Sequence, residues 1–584
     1  MTMPGKVIKS HFPPLPPIPD VNIYSLMFGR PDQAEWKEFV FQVDDKTGHK
    51  RMFRDAPGHV ALAATALAAS PEKGGLGLQV GGGEIIGLIG NNSFEYFDIT
   101  LGLTSLTIPY ALISSYSTRR ELVHALKLTK ATRLFVDAKL LKNVLSAIQD
   151  KDVRITAEQV YVLAGPAPSG RISLADLTEG VKRSKIPLEG TRPAKKDTLA
   201  YLIMSSGTSG LPKAVMISHG NLFASAMQAL VMHTTVTPYS TAPQVAHTIT
   251  IATLPMFHSY GLHVYVMRAT LTPATFIFLE RFDPTQYLQY VPKYKVTHLT
   301  LIPSMIHQLV HHPDFLKTEM STVVFVNSGA AYLPPTLSDR FLAHLGKGAD
   351  LHQGYGLSEG TLAATCRVPT GLFGNTGTPV GSQGMLQPGI EARLVLEDEF
   401  TDAAMGEVGE LWLRGPSICL GYWNNPSANA STFVDGWLRT GDQFRRDEQG
   451  FLFFADRGKD TLKVSGVQVS PKEIEDALLA HPDKLISDVS VAGVSGGRTS
   501  DEKVPHAWVI LSDAGKRKGE KETIRVLLKW HEEQLSRYKW LRGGIEVVKA
   551  IPKTPTGKTL RRTLQEEYEA RKRIRESEQI QARL

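Results

Sequence analysis

The sequence has very little cysteine and no long apolar run. Its 584 residues include only Cys366 and Cys419, which is too few for a disulfide framework or a four-cysteine zinc site. We interpret both as small buried hydrophobic side chains in a reducing compartment. No apolar stretch reaches the ~18 residues of a membrane-spanning helix, because polar and charged residues interrupt the most apolar region, 85–115. The sequence therefore predicts no transmembrane segment.

The sequence also has no large excess of charge of one sign. Lys and Arg number 65 and Asp and Glu 58, which gives a net charge of +7. No basic block is interleaved with aromatic residues, so we do not expect a nucleic-acid partner. The small surplus suits a protein that handles anionic nucleotides, although an ordinary solvated surface gives the same balance. The N-terminus lacks a basic segment followed by an apolar core, so secretion is not predicted.

The length and the order of the apolar segments indicate an α/β protein with more than one domain. A chain of 584 residues exceeds one ordinary core. Apolar runs alternate with amphipathic stretches, which favours layered α/β subdomains with largely parallel sheets. The sequence changes in character near 456–460, so we predict a large N-terminal domain, 1–457, and a small α+β C-terminal domain, 458–584. The strand candidates are 85–89, 134–136, 160–163, 299–302 and 323–326.

A loop rich in serine and glycine carries the strongest chemical signal. It lies between two strand-like runs, 199–204 and 214–217. Glycines let backbone N–H groups approach a polyphosphate, hydroxyls donate hydrogen bonds, and lysine supplies positive charge. The GxxxxGK[ST] spacing of a Walker A loop is absent, and a flexible Ser/Gly turn would have the same composition. The candidate phosphate-binding residues are Ser205, Ser206, Gly207, Thr208, Ser209, Gly210 and Lys213.

Two further motifs are suited to a nucleotide. In GYGLSE, an aromatic ring between glycines can stack on a flat base, and the hydroxyl and carboxylate that follow can hold phosphate and Mg²⁺. In GWLRTGD, a carboxylate after a tight glycine turn can accept hydrogen bonds from ribose hydroxyls. The alternatives are an ordinary strand end and a turn aspartate bonded to its own backbone. These motifs and one later residue contribute Gly354, Tyr355, Gly356, Ser358, Glu359, Asp442 and Arg457.

A fourth motif, PKTPTGK, ends in Lys558. Its prolines stiffen a loop and its glycine turns the backbone, although an isolated exposed lysine is ordinarily only solvated. Together with GELWLRG, these motifs occur in the order typical of the adenylate-forming superfamily of acyl-CoA synthetases, luciferases and adenylation domains. The chain resembles this superfamily from about residue 85 to residue 562. Within it, the chain is most similar to 4-coumarate–CoA ligase-type acid–CoA ligases.

The resemblance implies ATP, Mg²⁺ and coenzyme A as the small molecules that the protein uses. The Ser/Gly loop would hold the β- and γ-phosphates of ATP. Tyr355 would stack on adenine, Ser358 would touch the α-phosphate and Glu359 would bind Mg²⁺. Asp442 and Arg457 would hold the ribose.

The resemblance also implies a mobile C-terminal domain with two working faces. Lys558 would lie between the acid carboxylate and the α-phosphate, where a cation offsets the repulsion between two anions. Lys459 matches the hinge position. Lys463, Gly466 and Gln468 match the face that serves thioester formation, near the channel for the pantetheine arm of coenzyme A.

The acyl group would lie against the segment LPMFHSYG. There, the resemblance implies that His258 and Tyr260 contact or gate the acid; a packed histidine and tyrosine are the alternative. Gly329 and Gly354 would form a thin wall of the acyl pocket. Relatives that activate amino acids carry an Asp where this chain has His258, so we do not expect an amino-acid substrate.

These features predict an ATP-dependent acid–CoA ligase that forms an acyl-AMP and then an acyl-CoA thioester. The predicted acid is aryl (cinnamate-like) or medium-chain, and neither its identity nor the oligomeric state follows from the sequence. Two alternatives are a luciferase-like oxygenase and a stand-alone adenylation enzyme that feeds a separate carrier protein. Ala582, Arg583 and Leu584 have the small–basic–Leu pattern of a peroxisomal address. We therefore predict a peroxisomal location with the import receptor as a partner, and otherwise a cytoplasmic one.

Overall fold

The computed structural model describes most of the chain and divides it into two compact units. The described residues are 7–205, 212–330, 333, 335–396, 398, 401–457, 462–464, 467–496, 503–552 and 559–581. The first unit comprises Met1–Ser115, Leu122–Met204 and Lys213–Asp456. The second comprises Tyr116–Glu121, Ser205–Pro212 and Arg457–Leu584.

The strands within the described residues are numbered here in chain order. They are β1 (Ile8–Lys9), β2 (Val40–Asp44), β3 (Lys50–Met52), β4 (Ile86–Ile89), β5 (Tyr110–Leu112), β6 (Arg133–Val136), β7 (Val160–Val162), β8 (Leu199–Ser205), β9 (Lys213–Ser218), β10 (Thr248–Ala252), β11 (Ala274–Phe278), β12 (His298–Leu301), β13 (Phe325–Ser328), β14 (Asp350–Gln353), β15 (Thr365–Cys366), β16 (Met385–Leu386), β17 (Glu391–Val395), β18 (Gly409–Arg414), β19 (Phe433–Val434), β20 (Trp437–Arg446), β21 (Leu452–Arg457), β22 (Leu462–Val464), β23 (Val467–Val469), β24 (Ile486–Ser495), β25 (Lys503–Leu511) and β26 (Ile545–Val547).

The α-helices are numbered in the same way. They are α1 (Tyr24–Met27), α2 (Ala56–Ala68), α3 (Phe94–Ser105), α4 (Arg119–Thr129), α5 (Leu141–Ala147), α6 (Leu174–Arg183), α7 (His219–Val236), α8 (Ser259–Leu262), α9 (Pro284–Tyr294), α10 (Pro303–Val310), α11 (Pro335–Leu342), α12 (Pro426–Thr432), α13 (Pro471–Leu479), α14 (Asp513–Lys518), α15 (Glu520–Gln534) and α16 (Arg561–Gln581). No helix among the described residues combines the length and the apolarity needed to cross a membrane.

Two largely parallel sheets form the body of the first unit. One has the strand order β7-β6-β4-β5-β8-β9, and the other has the order β14-β13-β12-β10-β11-β2-β3. The pairs β4/β5, β4/β6, β10/β11 and β12/β13 are all parallel. All four residues of β4 are buried, as expected for a parallel strand covered on both faces. The predicted α/β class is thereby confirmed.

A third sheet in the first unit is antiparallel and carries a nucleotide candidate. Its strand order is β1-β17-β18-β20-β19, with β21 also paired to β20. The pairs β17/β18 and β18/β20 are antiparallel. Asp442 lies within β20. The buried apolar face of this sheet includes Leu394, Leu411, Leu413 and Phe444, which pack with the side chain of Tyr355.

A capping box fixes the chain where β9 ends and α7 begins. The hydroxyl of Ser218 accepts a hydrogen bond from the backbone N–H of Asn221 at 3.1 Å. The amide oxygen of Asn221 accepts one in return from the N–H of Ser218 at 3.0 Å. Two otherwise unpaired backbone donors are satisfied in this way. The cap therefore holds the end of the strand that begins at Lys213.

The second unit has its own small sheets and its own core. The strand order β24-β25-β26 and the pair β22/β23 are both within this unit. Val491, Val509 and Leu527 are buried in its core, while Leu564 of α16 packs with Trp508. The two cysteines of the chain, Cys366 and Cys419, are buried in the first unit and form no disulfide, as predicted.

Candidate active site

The Ser/Gly loop joins two neighbouring strands of the first sheet. Ser205 is the last residue of β8 and Lys213 is the first of β9. Ser205 is 6% exposed. The predicted phosphate-binding residues between them, Ser206, Gly207, Thr208, Ser209 and Gly210, lie outside the described residues.

The two predicted nucleotide motifs meet through a buried hydrogen bond. The hydroxyl of Tyr355 donates to Oδ2 of Asp442 at 2.6 Å, although the two residues are 87 positions apart. Both side chains are buried, and the ring of Tyr355 packs edge-on against Phe444 at a centroid distance of 4.9 Å. A phenol that donates to a carboxylate fixes the orientation of that carboxylate. The structure therefore brings the predicted adenine-binding and ribose-binding residues together.

Gly354 and Gly356 flank Tyr355 in the sequence. A Cβ on Gly354 would lie 2.7 Å from the carbonyl oxygen of Thr365, so the backbone passes too close for any side chain there. Gly356 forms an isolated antiparallel bridge with Ala363. This bridge closes a turn around Ser358 and Glu359, which lie in a short 3₁₀ helix, Ser358–Gly360.

Glu359, the predicted Mg²⁺ ligand, is held by a tyrosine that the sequence motifs did not indicate. The hydroxyl of Tyr422 donates to Oε1 of Glu359 at 2.8 Å. The ammonium nitrogen of Lys213 lies 4.6 Å from the centroid of the Tyr422 ring, a cation–π distance. Tyr422 thus contacts the residues predicted to bind the metal and the phosphates. In the sequence, Tyr422 stands out only as an aromatic residue that follows a glycine in an apolar stretch.

The predicted acyl-pocket residues surround the start of α8. His258 precedes this helix as its N-cap, and its Nδ1 accepts a hydrogen bond from the backbone N–H of Tyr260 at 3.4 Å. Burial lowers the pKa of His258, so the ring is neutral near pH 7. A Cβ on Gly329 would lie 3.3 Å from Cε1 of Tyr260. The Tyr260 ring therefore lies directly against Gly329, and the thin wall for the acyl group stays a prediction.

A hydrogen bond links the acyl segment to the nucleotide segment. The hydroxyl of Ser259 donates to Oγ of Ser358 at 3.2 Å. Ser358 is the residue predicted to touch the α-phosphate, and Ser259 stands between His258 and Tyr260 in the sequence. The predicted acid site and the predicted α-phosphate site are therefore adjacent. Ser259 lies within the predicted acyl segment, although no role was predicted for it.

The candidate residues of the second unit are described only in part. Lys463 and Gln468 are opposite each other in the antiparallel pair β22/β23, and their side chains are not described. Arg457 is the last residue of β21, again without a described side chain. The backbone N–H of Leu560 donates to the carbonyl of Pro552 at 2.9 Å, which joins the first residue of the PKTPTGK motif to a residue just after the motif. Lys459, Gly466 and Lys558 lie outside the described residues.

The described side chains form no closed cage of ligands for a metal ion. No group of three or more His, Cys, Asp or Glu side chains that could hold a metal ion occurs in this part of the chain. Mg²⁺ commonly binds through one or two carboxylates together with substrate phosphates and water. Glu359, oriented by Tyr422, fits that kind of site.

Comparison with known proteins identifies matching families over most of the chain. Residues 62–423 match a family model described as AMP-binding enzyme. Residues 473–558 match a model described as AMP-binding enzyme C-terminal domain.

Individual relatives match nearly end to end. A probable 4-coumarate–CoA ligase 3 of Dictyostelium discoideum is 31% identical over 567 residues, covering 95% of each chain. The peroxisomal OPC-8:0-CoA ligase 1 of Arabidopsis thaliana is 29% identical over 565 residues, covering 94% of each chain. The solved structure of the amide bond synthetase McbA from Marinactinospora thermotolerans has a TM-score of 0.76 at 23% identity, covering 94% of this chain and 99% of that one. At that identity, the structural match shows a shared fold.

Proposed function

The chain belongs to the AMP-binding enzyme family, and on that premise we propose that it is an ATP-dependent acid–CoA ligase acting on an aryl (cinnamate-like) or medium-chain carboxylic acid. In the first half-reaction, a carboxylate oxygen of the acid attacks the α-phosphorus of ATP and pyrophosphate leaves, which gives an acyl-AMP. In the second, the sulfur of coenzyme A attacks the acyl carbon, loses its proton, and displaces AMP.

The observation that carries the proposal is the gathering of distant motifs around one place in the first unit. Tyr355 and Asp442 meet through a 2.6 Å hydrogen bond. Four residues after Tyr355, Glu359 meets Tyr422, whose ring lies under Lys213. A base-stacking ring, a ribose acceptor, a metal-binding carboxylate and a phosphate-binding cation are the groups that an adenylating enzyme needs.

Mg²⁺ is part of this proposal. Glu359 would hold the ion together with the phosphates of ATP, since the protein supplies one oriented carboxylate there. When bound, the ion would neutralise charge on the phosphates as pyrophosphate leaves. Tyr422 keeps Oε1 of Glu359 in a hydrogen bond and so orients the whole carboxylate.

The second unit would supply the groups for both half-reactions. We assign Lys558 to the space between the acid carboxylate and the α-phosphate, where it offsets their repulsion. Lys459 would be the hinge. Lys463, Gly466 and Gln468 would serve thioester formation with coenzyme A, and the pairing of Lys463 with Gln468 on one hairpin supports a common face for them.

The neutral environment of the acyl segment favours an apolar acid. Burial keeps His258 uncharged, and the ring of Tyr260 lies against Gly329. A flat or unbranched apolar acyl group suits such a surface, whereas a substrate ammonium group would need a carboxylate partner. The 4-coumarate–CoA ligase relative supports the aryl option.

A peroxisomal location is proposed from the final tripeptide and from the peroxisomal relative. Ala582, Arg583 and Leu584 would be read by the import receptor. A fluorescent protein that carries the last residues of this chain should enter peroxisomes, and should stay in the cytoplasm when those three residues are removed.

The deciding measurement is pyrophosphate release from ATP over a panel of fatty, cinnamic, benzoic and phenylacetic acids, with and without coenzyme A. Lys558→Ala should reduce adenylation roughly 10²–10³-fold, as expected for loss of a charge that stabilises a transition state. Lys553→Ala, in the same motif, serves as the matched control and should retain activity.

Each outcome distinguishes between the candidate functions. Turnover that depends on coenzyme A and yields a thioester supports the ligase. Pyrophosphate release without a thioester would instead indicate a carrier protein as the acyl acceptor. Light emission from an added luciferin in the presence of oxygen would indicate the oxygenase. Lys558→Ala should still transfer a synthetic acyl-AMP to coenzyme A, since its proposed role is confined to adenylation.

A further inference from the structure

The segment from Cys419 to Trp423 is bonded on both sides to predicted catalytic elements. On one side, Met216 donates its backbone N–H to Gly421 at 2.9 Å, and Trp423 donates to Ala214 at 2.8 Å. These bonds pair the segment with β9, the strand that begins at Lys213. On the other side, the N–H of Cys419 donates to the carbonyl oxygen of Glu359 at 2.8 Å. The segment therefore sets the spacing between Lys213 and Glu359.

Tyr422 lies at the centre of this segment and is 6% exposed. Its backbone forms an isolated antiparallel bridge with Val215. The side-chain amide of Asn429 makes two hydrogen bonds with the backbone of Tyr422. Its oxygen accepts from the N–H of Tyr422 at 2.6 Å, and its nitrogen donates to the carbonyl of Tyr422 at 2.9 Å. Phe433 packs against the edge of the ring at a centroid distance of 5.7 Å. The backbone contacts and the ring packing together leave the side chain little freedom.

The hydroxyl and the ring face of Tyr422 contact two different charged groups. The hydroxyl donates to Oε1 of Glu359 at 2.8 Å, and the ring face lies 4.6 Å from the ammonium nitrogen of Lys213. The phenol is therefore the donor and the carboxylate the acceptor of this bond.

We propose that Tyr422 is a positioning residue that aims the Glu359 carboxylate at the metal ion of Mg·ATP and holds the Lys213 ammonium over the phosphates. The inference rests on the proposed function, because it assigns Tyr422 a role toward the same nucleotide. A hydrogen bond to one carboxylate oxygen fixes the rotation of that carboxylate and so directs the other oxygen. The ring face favours the lysine cation at one place.

The two contacts can be separated by substitution. Tyr422→Phe removes the hydroxyl and keeps the ring, so it should disturb Glu359 alone. We expect it to raise the Mg²⁺ concentration for half-maximal ATP binding by about tenfold, the size of one charge-assisted hydrogen bond. Tyr422→Leu also removes the ring face and should weaken ATP binding a further ~3–10-fold at saturating Mg²⁺. Neither variant should change the KM for the acid more than about twofold.

Calorimetric titration with ATP over a series of Mg²⁺ concentrations measures these effects without any acid. Tyr110→Phe is the matched control, because Tyr110 is a buried tyrosine of the same unit whose hydroxyl lies 3.4 Å from Thr104. It should bind as the parent protein does. Thermal unfolding of each variant verifies that the protein is folded under the conditions of the titration.

A double-substitution cycle tests whether Tyr422 acts through Glu359. In a Glu359→Gln background, Tyr422→Phe should no longer shift the Mg²⁺ dependence, because the oriented carboxylate is gone. A merely structural tyrosine would cause the same loss in both backgrounds, and that result would refute the inference. An unchanged Mg²⁺ dependence in Tyr422→Phe itself would refute it too. If the parent protein binds no ATP at any Mg²⁺ concentration, the proposed function fails, and the inference fails with it for that separate reason.

Discussion

Asp137 follows β6 directly, and its carboxylate is buried at the carboxyl end of this strand. Its Oδ2 accepts a hydrogen bond from the backbone N–H of Asn91 at 2.8 Å. The described residues offer Oδ1 no hydrogen-bond partner. Burial raises the pKa of Asp137 to about 6, against an ordinary value of 3.8. The folded protein therefore holds a proton at this position more tightly than the unfolded chain does.

The shifted pKa of Asp137 predicts that Asp137→Asn stabilises the protein to an extent that depends on pH. A raised carboxyl pKa adds stability at low pH, and this contribution is lost as the pH rises from about 4 to about 6. Above that window, the charged carboxylate costs up to about 3 kcal/mol. Asp137→Asn should therefore raise the free energy of unfolding more at pH 8 than at pH 4.5. Urea unfolding at both pH values measures the difference. The exposed Asp197→Asn is the control, and equal gains at the two pH values would contradict the prediction.

Residues with a chemical motif could be predicted from the sequence, and residues that act through distant contacts could not. Tyr355, Asp442 and Glu359 stand in motifs whose residue types suit a nucleotide, and the structure brings them together. Tyr422 lies 63 positions from Glu359 and carries no such motif. Its contact depends on the pairing of its segment with β9, a long-range event that local sequence does not encode.

At the scale of single elements, the turn that contains His258 and Tyr260 depends on Gly261. A Cβ on Gly261 would lie 2.2 Å from the carbonyl oxygen of Pro255 and 2.7 Å from that of Leu254. Backbone atoms cannot yield as a flexible side chain can, so the turn itself would have to move. The acyl segment would shift with it.

Gly261→Ala should therefore weaken acid use selectively. We expect kcat/KM for the acid to fall at least about tenfold, because misplacement of a substrate-positioning element is costly, while the affinity for Mg·ATP changes less than about threefold. Gly58→Ala is the control, since nothing lies within 4 Å of a Cβ there. That substitution within α2 should stabilise the protein by about 0.5–1 kcal/mol. Equal losses of acid and ATP binding in Gly261→Ala would indicate general damage instead.

Most element types follow from apolar patterning, whereas their limits depend on pairing. The predicted strand 299–302 corresponds closely to β12, His298–Leu301. The predicted strand 323–326 is displaced, because β13 runs from Phe325 to Ser328. Val323 is fully buried but precedes the strand. Apolarity reports burial, and only the hydrogen bonds to β12 and β14 define where the strand begins.

At the scale of the whole molecule, two features could not have been predicted from local sequence. The N-terminal strand β2 pairs in parallel with β11, more than 200 residues away. The segment Tyr116–Glu121 belongs to the second compact unit, although the residues on either side of it belong to the first. Both depend on contacts between distant parts of the chain, which hydrophobic periodicity does not report.

Buried charges hold Tyr116–Glu121 within the second unit. The ammonium nitrogen of Lys539 lies 2.6 Å from Oε1 of Glu121 and 2.7 Å from Oε1 of Glu473. Lys539 is 2% exposed. Burial alone would lower the pKa of Lys539, but Tyr538 and the two carboxylates together raise it. The lysine stays charged and pairs with both carboxylates, although burial still raises the pKa of Glu473.

Lys539→Met should therefore destabilise the second unit by about 3–5 kcal/mol at neutral pH, the cost of leaving buried charge without a partner. The pKa of Glu121 is lowered overall, because Lys539 and hydrogen bonds outweigh the effect of burial. Glu121 thus contributes to stability above the ordinary carboxyl pKa, and this contribution is lost as the pH falls. The destabilisation caused by Lys539→Met should therefore become smaller below about pH 4.

Amide hydrogen exchange of Tyr116–Glu121 should accelerate in the Lys539→Met variant. Lys529→Met, on the exposed face of α15, should leave both stability and exchange unchanged. Unchanged exchange in Lys539→Met would mean that contacts other than this charge cluster hold the segment in place.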